Sequence, residues 1–133
     1  MYLLDTNIIL ELLLDQDRAD EVEQFLQNTA RENLYLSEFS LYSLGILLMR
    51  RRMYDTFSQV VGDLLVTGGV QLVRLDLEDM TTIVATSQRF GLDFDDAYQY
   101  VAAERYGLTI VSFDTDFDRT ELGRSTPAQI GQR

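Results

Sequence analysis

The apolar positions of this chain fall into four short runs separated by longer amphipathic stretches. Tyr2–Leu4, Leu34–Leu36, Val70–Leu75 and Leu108–Phe113 have the length and character of buried strands. The spacing between them predicts helices. These run from Ile8 to about Leu14, from about Arg18 to Gln27 (Val22, Phe25 and Leu26 on one face), and from Ser37 or Glu38 through Leu48. Three more are expected from about Asp55 to Val66, from Asp76 or Asp79 to about Phe90, and from Asp95 to Tyr106. Thr6, Asn7 and Asp93 stand where caps are expected, and Gly68-Gly69, Gly91 and Gly107 where helices should stop. Beyond Phe117 the chain is polar, with its only proline at Pro127, and Ala128–Ile130 is expected as a weak edge strand.

Strands separated by helices predict an α/β fold with a parallel sheet covered on both faces. No repeat, low-complexity tract or linker interrupts residues 1–133, so a single domain is expected.

Composition narrows the chemistry. The chain has no cysteine and no histidine, which excludes disulfides, thiolate or imidazole metal sites, Ser-His-Asp catalysis and imidazole acid–base chemistry. Catalysis has to rely on carboxylates, hydroxyls, arginine or a bound ion, and oxygen-only ligands favour Mg²⁺, Mn²⁺ or Ca²⁺. The net charge is −11 and every basic side chain is arginine. Such a balance opposes a general grip on nucleic acid, but a metal-loaded cleft or a local arginine patch such as Arg50-Arg51-Arg52 overrides it. No apolar run reaches the length of a membrane span, and MYLLDTN lacks a basic leader, so a cytoplasmic location is expected.

The expected strand ends collect acids. Asp5 follows the first strand, Ser37 and Glu38 the second, and Asp114 and Asp116 the fourth, while Asp96 lies in the first turn of a helix. In an open parallel sheet, ligands bind beyond the carboxyl ends of the strands. Carboxylates gathered there repel one another until a divalent cation removes the cost, and two ions about 3.5–4 Å apart can activate water against a phosphodiester. The inference is a metal-dependent phosphotransfer or hydrolase site. Each acid also has a plainer reading. Asp5 suits a helix cap, Asp93 and Asp95 a cap with dipole-favouring acids, Glu38 a first-turn acid, and Asp114 with Asp116 an Asx turn. DTDFD is not a calcium loop, because Arg119 and Ser125 occupy the positions that need glycine and the bidentate Glu. Arg50–Arg52 reads as a solvated helix end or as a phosphate- or partner-contacting patch.

With these motifs in place, the chain resembles the PIN-domain proteins, and among them the VapC-type toxins of toxin–antitoxin pairs. LLDTNIILELL resembles the family's opening strand–Asp–Thr–Asn–helix, and DDAYQYVAAERYGLTIVSFDTDF its most specific segment. The resemblance implies a three-layer α/β/α fold with a small central parallel sheet, Mg²⁺- or Mn²⁺-dependent cleavage of RNA, a cognate antitoxin and a homodimer. It makes Asp5, Asp96 and Asp114 the core metal-binding and catalytic carboxylates and Asp116 a more variable fourth acid. Glu38, Thr6, Asn7 and Ser43 become candidate accessory residues. The family usually carries a Glu six residues after the Ser that ends the second strand. Here Ser43 holds that position, and Glu38, the nearest acid, lies nearly opposite on the helix. A second reading follows: a PIN-fold binding or regulatory protein with weakened catalysis. A lysine-dependent phosphotransferase is disfavoured, because the chain has no lysine.

Overall fold

The computed structural model describes residues 1–131. Four parallel strands, β1 (Tyr2–Leu4), β2 (Leu34–Ser37), β3 (Gln71–Val73) and β4 (Thr109–Val111), form one sheet in the order β3-β2-β1-β4. Seven α-helices flank it: α1 (Thr6–Leu13), α2 (Ala19–Asn28), α3 (Glu38–Arg50), α4 (Tyr54–Val60), α5 (Met80–Phe90), α6 (Phe94–Tyr106) and α7 (Pro127–Gly131). The three-layer α/β/α architecture is the one expected.

Alternation along each strand builds two cores. Leu3 and Ile110 face one side of the sheet and join Ile83, Val101 and Phe117. Leu4 and Val111 face the other and join Ile8, Val22, Phe25, Leu36 and Leu44. Successive side chains of a strand point to opposite faces, so a three-residue strand is enough to serve both layers. β1 matches its predicted run and β2 extends one residue beyond it, while β3 and β4 are shorter than the apolar runs that announce them. Val70, Leu75, Leu108 and Phe113 pack or turn beyond the ladder instead of pairing within it.

Several local expectations change. The helix predicted over 55–66 divides into α4 and a π-helical turn at Val61–Val66, where the chain descends to β3. Thr6 and Asn7 are the first two residues of α1, and Asp5 occupies the cap position, accepting the Thr6 N–H at 2.8 Å. Asp93 precedes α6 in extended conformation, but its side chain makes no capping bond. Gly91 and Gly107 end α5 and α6 in the left-handed conformation, as predicted.

The edge strand predicted at Ala128–Ile130 is instead helix α7. Pro127 suits a first helical position, and Thr126 and Gln129 bond reciprocally: Thr126 N–H to Gln129 Oε1 at 2.8 Å, Gln129 N–H to Thr126 Oγ1 at 3.3 Å. Added pairing does occur on the β4 edge, but at Ser125, which bridges Val111 in parallel. Among the described residues, no helix is long and apolar enough to cross a membrane.

Phe117 ties the loop after β4 to the core. It lies in a 3₁₀ turn (Thr115–Arg119) and is fully buried against the α5/α6 layer. Phe117→Ala should lower stability by about 3–5 kcal/mol, the usual range for deleting a buried aromatic ring. Urea denaturation should show the fall; an unchanged midpoint would mean that the turn does not depend on this anchor.

Candidate metal centre

Strand order decides where a crevice opens. From β1 the chain moves to β2 and β3 on one side, then returns to lay β4 on the other side of β1. The reversal therefore falls between β1 and β4, and at such a point the carboxyl ends of adjacent strands part to leave a ligand crevice. The segments leaving these two strands carry Asp5 and Ser112-Phe113-Asp114.

Asp5 is only 8% exposed. Its hydration is replaced by fixed donors. Oδ1 accepts from Thr6 N–H at 2.8 Å and Gln99 Nε2 at 3.1 Å, and Oδ2 from Ser112 Oγ at 2.6 Å and Asn7 Nδ2 at 3.4 Å. Burial pushes the Asp5 carboxyl above its ordinary range, opposed by these hydrogen bonds. Asn7 also bonds Ser112 Oγ at 3.3 Å and accepts the Phe113 N–H at 3.3 Å, so α1 is stitched to the loop after β4. Ser112 Oγ in turn accepts the Asp114 N–H at 2.9 Å. Asp114 then turns the chain back by accepting the Asp116 N–H at 2.8 Å. The Asx turn and the placement of an acidic pair are the same piece of geometry.

Asp96 comes from the first turn of α6, where the helix dipole favours an acid. One carboxylate oxygen each from Asp96, Asp114 and Asp116 lies within 4.8 Å of the others. Desolvation raises the Asp96 pKa to about 7, and the charges of Asp114 and Asp5 add to the effect. Arg119 partly offsets Asp116, bonding its Oδ1 at 3.1 Å while anchored to the carbonyls of Phe90 (3.1 Å) and Gly91 (2.6 Å). The donor set is entirely oxygen, crowded and anionic. It fits a hard divalent cation such as Mg²⁺ or Mn²⁺, and a cation would offset the desolvation and like charge that raise the Asp96 pKa.

A cleft of about 290 Å³ opens beside these acids, lined by Asp5, Asp96, Asp114, Gln99, Thr6, Asn7 and Ser43 among others. Asp5 thus borders the same space as Asp96 and Asp114 but lies outside the three-carboxylate cluster. Ser43 also lines an adjoining groove of about 310 Å³ with Ile46, Leu47, Arg50 and Arg51. Arg52 lies past the end of α3, exposed and at positive φ.

Glu38 is directed elsewhere. Ser37 pairs with Val73 in register, so the next residues, Glu38 and Arg74, leave neighbouring strands side by side. They form a 3.1 Å ion pair, and Glu38 also accepts from Tyr42 OH at 2.6 Å. Three buried contributors were not anticipated: Gln99, Ser112 and Ser40. Gln99 had a signal, its position three residues after Asp96 on the same helix face. Ser112, a small polar residue closing an apolar strand two positions before Asp114, offered a weaker one.

The PIN domain family matches residues 2–122. Comparison with curated proteins gives no significant match. Among solved structures, the chain is similar to a toxin–antitoxin complex from Klebsiella pneumoniae (TM-score 0.74, 22% identity, covering 96% of this chain and 98% of the other). It is also similar to FitAcB from Neisseria gonorrhoeae (TM-score 0.75, 22% identity, 96% and 99%). A third is VapC20 of Mycobacterium tuberculosis, described as a toxin cleaving the sarcin–ricin loop (TM-score 0.76, 16% identity, 89% and 93%). At these identities the likeness is one of fold.

The raised Asp96 pKa has a defined consequence for the metal-free protein. The folded state holds this proton more tightly than the unfolded chain, so its stabilising effect is full at low pH. It is lost as pH rises from about 4 through about 7. Thermal melts in EDTA should show stability declining across that window, with a shallower slope for Asp96→Asn. Equal slopes would mean that the proton on Asp96 is not linked to folding.

Proposed function

Because the chain belongs to the PIN domain family, matched over residues 2–122, we propose that it is a divalent-metal-dependent ribonuclease and the toxin of a toxin–antitoxin pair. The observation that carries this reading is the convergence of Asp96, Asp114 and Asp116 within 4.8 Å at the end of the sheet where the strand order reverses. Asp5, Asp96 and Asp114, which line one cleft, are assigned as the core catalytic carboxylates and ligands of Mg²⁺ or Mn²⁺, with Asp116 as the variable fourth acid. When bound, the ion supplies a Lewis acid and charge to offset that developing on a phosphodiester.

The chain's own residues do the rest. Asp5, immobilised by four donors, cannot swing away when charge enters the cleft. Thr6 and Ser43 offer hydroxyls on its wall for a substrate oxygen or water. Arg50 and Arg51 border the groove continuing from Ser43, giving the RNA backbone a cationic path on an otherwise acidic protein. The acidic cleft also suits a basic segment of an antitoxin. The exposed face of α3, with Tyr42, Ile46 and Met49 at helical spacing, is an apolar surface available to a homodimer.

One observation favours the second reading, a PIN-fold binding or regulatory protein with weak catalysis. Position 43 is Ser, and Glu38 is held by Arg74 and Tyr42. Fewer carboxylates hold an ion more loosely.

Cleavage of total RNA by the purified protein decides between the two. With Mg²⁺ or Mn²⁺ we expect cleavage, and for Asp96→Asn a fall to the level seen with EDTA. A folded protein that cleaves no RNA with either ion sinks the nuclease reading and leaves the binding protein. Metal-independent cleavage unaffected by Asp96→Asn would sink the assignment of the site.

A further inference from the structure

Gln99 is a costly residue for its position. It lies one turn after Asp96 on α6, it is 2% exposed, and it is among the largest fully buried side chains of the protein. A side chain with two donors and an acceptor is seldom placed so deeply unless it is bonded throughout. Gln99 is bonded at one end only. Its Nε2 donates to Asp5 Oδ1 at 3.1 Å and to Ser40 Oγ at 2.5 Å, while its Oε1 has no hydrogen-bond partner among the described residues. The reverse orientation of the amide would set its oxygen against the Asp5 carboxylate, so Asp5 dictates which way the group points. Buried groups left unsatisfied destabilise a fold, and a methionine would fill similar space with no orphaned acceptor. The amide is there for the carboxylate it bonds, because a methionine would take a donor away from Asp5.

The contacts show what this bond joins. Asp5 leaves β1, Ser40 lies on α3, and Gln99 shares α6 with Asp96. Ser40 Oγ also accepts from Thr6 Oγ1 at 2.9 Å, and the Ser40 N–H is held by Ser37 Oγ at 3.0 Å. Among the described residues, the Gln99 amide is therefore the one group that bonds Asp5 from the helix carrying Asp96 while bracing both against α3. Thr6, Asn7 and Ser112 hold Asp5 only from its own segment and from the β4 side.

We propose that Gln99 is a positioning residue of the acidic centre, its amide fixing the Asp5 carboxylate relative to Asp96. The proposal rests on the metal-dependent reading above. Residues that orient ligands at second hand typically change metal affinity or activity by about 10- to 100-fold when replaced.

The test uses the full chain with Mn²⁺ as the probe. Mn²⁺ affinity is measured by calorimetry, and RNA cleavage is split into kcat and KM, for wild type, Gln99→Met, Gln99→Asn and Ser40→Ala. Gln99→Met keeps the volume without the amide. Gln99→Asn keeps the amide but is one methylene too short to reach Asp5 from the same backbone. We expect both to weaken Mn²⁺ binding and lower kcat by about 10- to 100-fold, with KM near wild type and a drop in melting temperature too small to account for the loss. Ser40→Ala should move the same readouts less. Wild-type Mn²⁺ affinity in Gln99→Met overturns the proposal. So does a fall in melting temperature large enough to account for the loss, which would make Gln99 a packing residue. A wild type that binds Mn²⁺ but cleaves no RNA sinks the nuclease reading while the affinity arm still tests Gln99; a wild type that does not bind Mn²⁺ sinks both.

Discussion

A carboxylate taken out of water needs fixed donors in place of its hydration shell, and the structure around the strand reversal is organised by how Asp5 obtains them. No lysine or histidine exists in the chain, and no arginine bonds this group among the described residues. The donors are instead neutral: the Thr6 N–H, the Ser112 hydroxyl and the amides of Asn7 and Gln99. They come from three places: Thr6 and Asn7 from the start of α1, Ser112 from just past β4, and Gln99 from the middle of α6. Satisfying one buried anion therefore locks three elements together. It also leaves the carboxylate without a cationic partner among the described residues.

The crowding of carboxyl groups around Asp5 feeds directly into the behaviour of its neighbours. Asp96 and Asp114 face the same cleft as Asp5, and Asp116 is folded back beside them by the Asx turn. Burial and like charge together hold a proton on Asp96 up to about pH 7. The ion-free arrangement is internally opposed, and a divalent cation is the simplest species that relieves it. Arg119 relieves only the outermost acid, and its own anchoring to the C-terminal end of α5 keeps it at the rim. A local, geometric conflict of this kind is a firmer basis for a metal centre than the overall excess of acids, most of which lie on the solvated surface.

Much of this was legible before any coordinates. Apolar runs and punctuating glycines announced the four strands and the flanking helices, because burial on both faces of a parallel sheet leaves little choice of residue. The acids at positions 5, 96, 114 and 116 stood out because strand ends and helix starts are where charge can approach a crevice. The failures are equally physical. Ala128–Ile130 looks like a strand in isolation, yet Pro127 and the Thr126–Gln129 capping pair make a helix turn cheaper locally. Glu38 sits at a strand end like Asp5, but β2 is next to β3, away from the reversal, and Arg74 leaves the adjoining strand within reach. Chain order alone does not distinguish a strand end beside the reversal from one remote from it.

Residue type and local spacing are enough for the α/β class, the approximate elements, the oxygen-only chemistry and the family resemblance. Which acids meet is a matter of long-range packing. Asp5 and Asp114 are 109 positions apart, and what joins them is the pairing of β1 with β4, a long-range choice that no local pattern encodes. The same holds for Gln99. In the sequence it is one polar residue in a helix; its meaning comes from facing a carboxylate 94 positions away in a place that water does not reach.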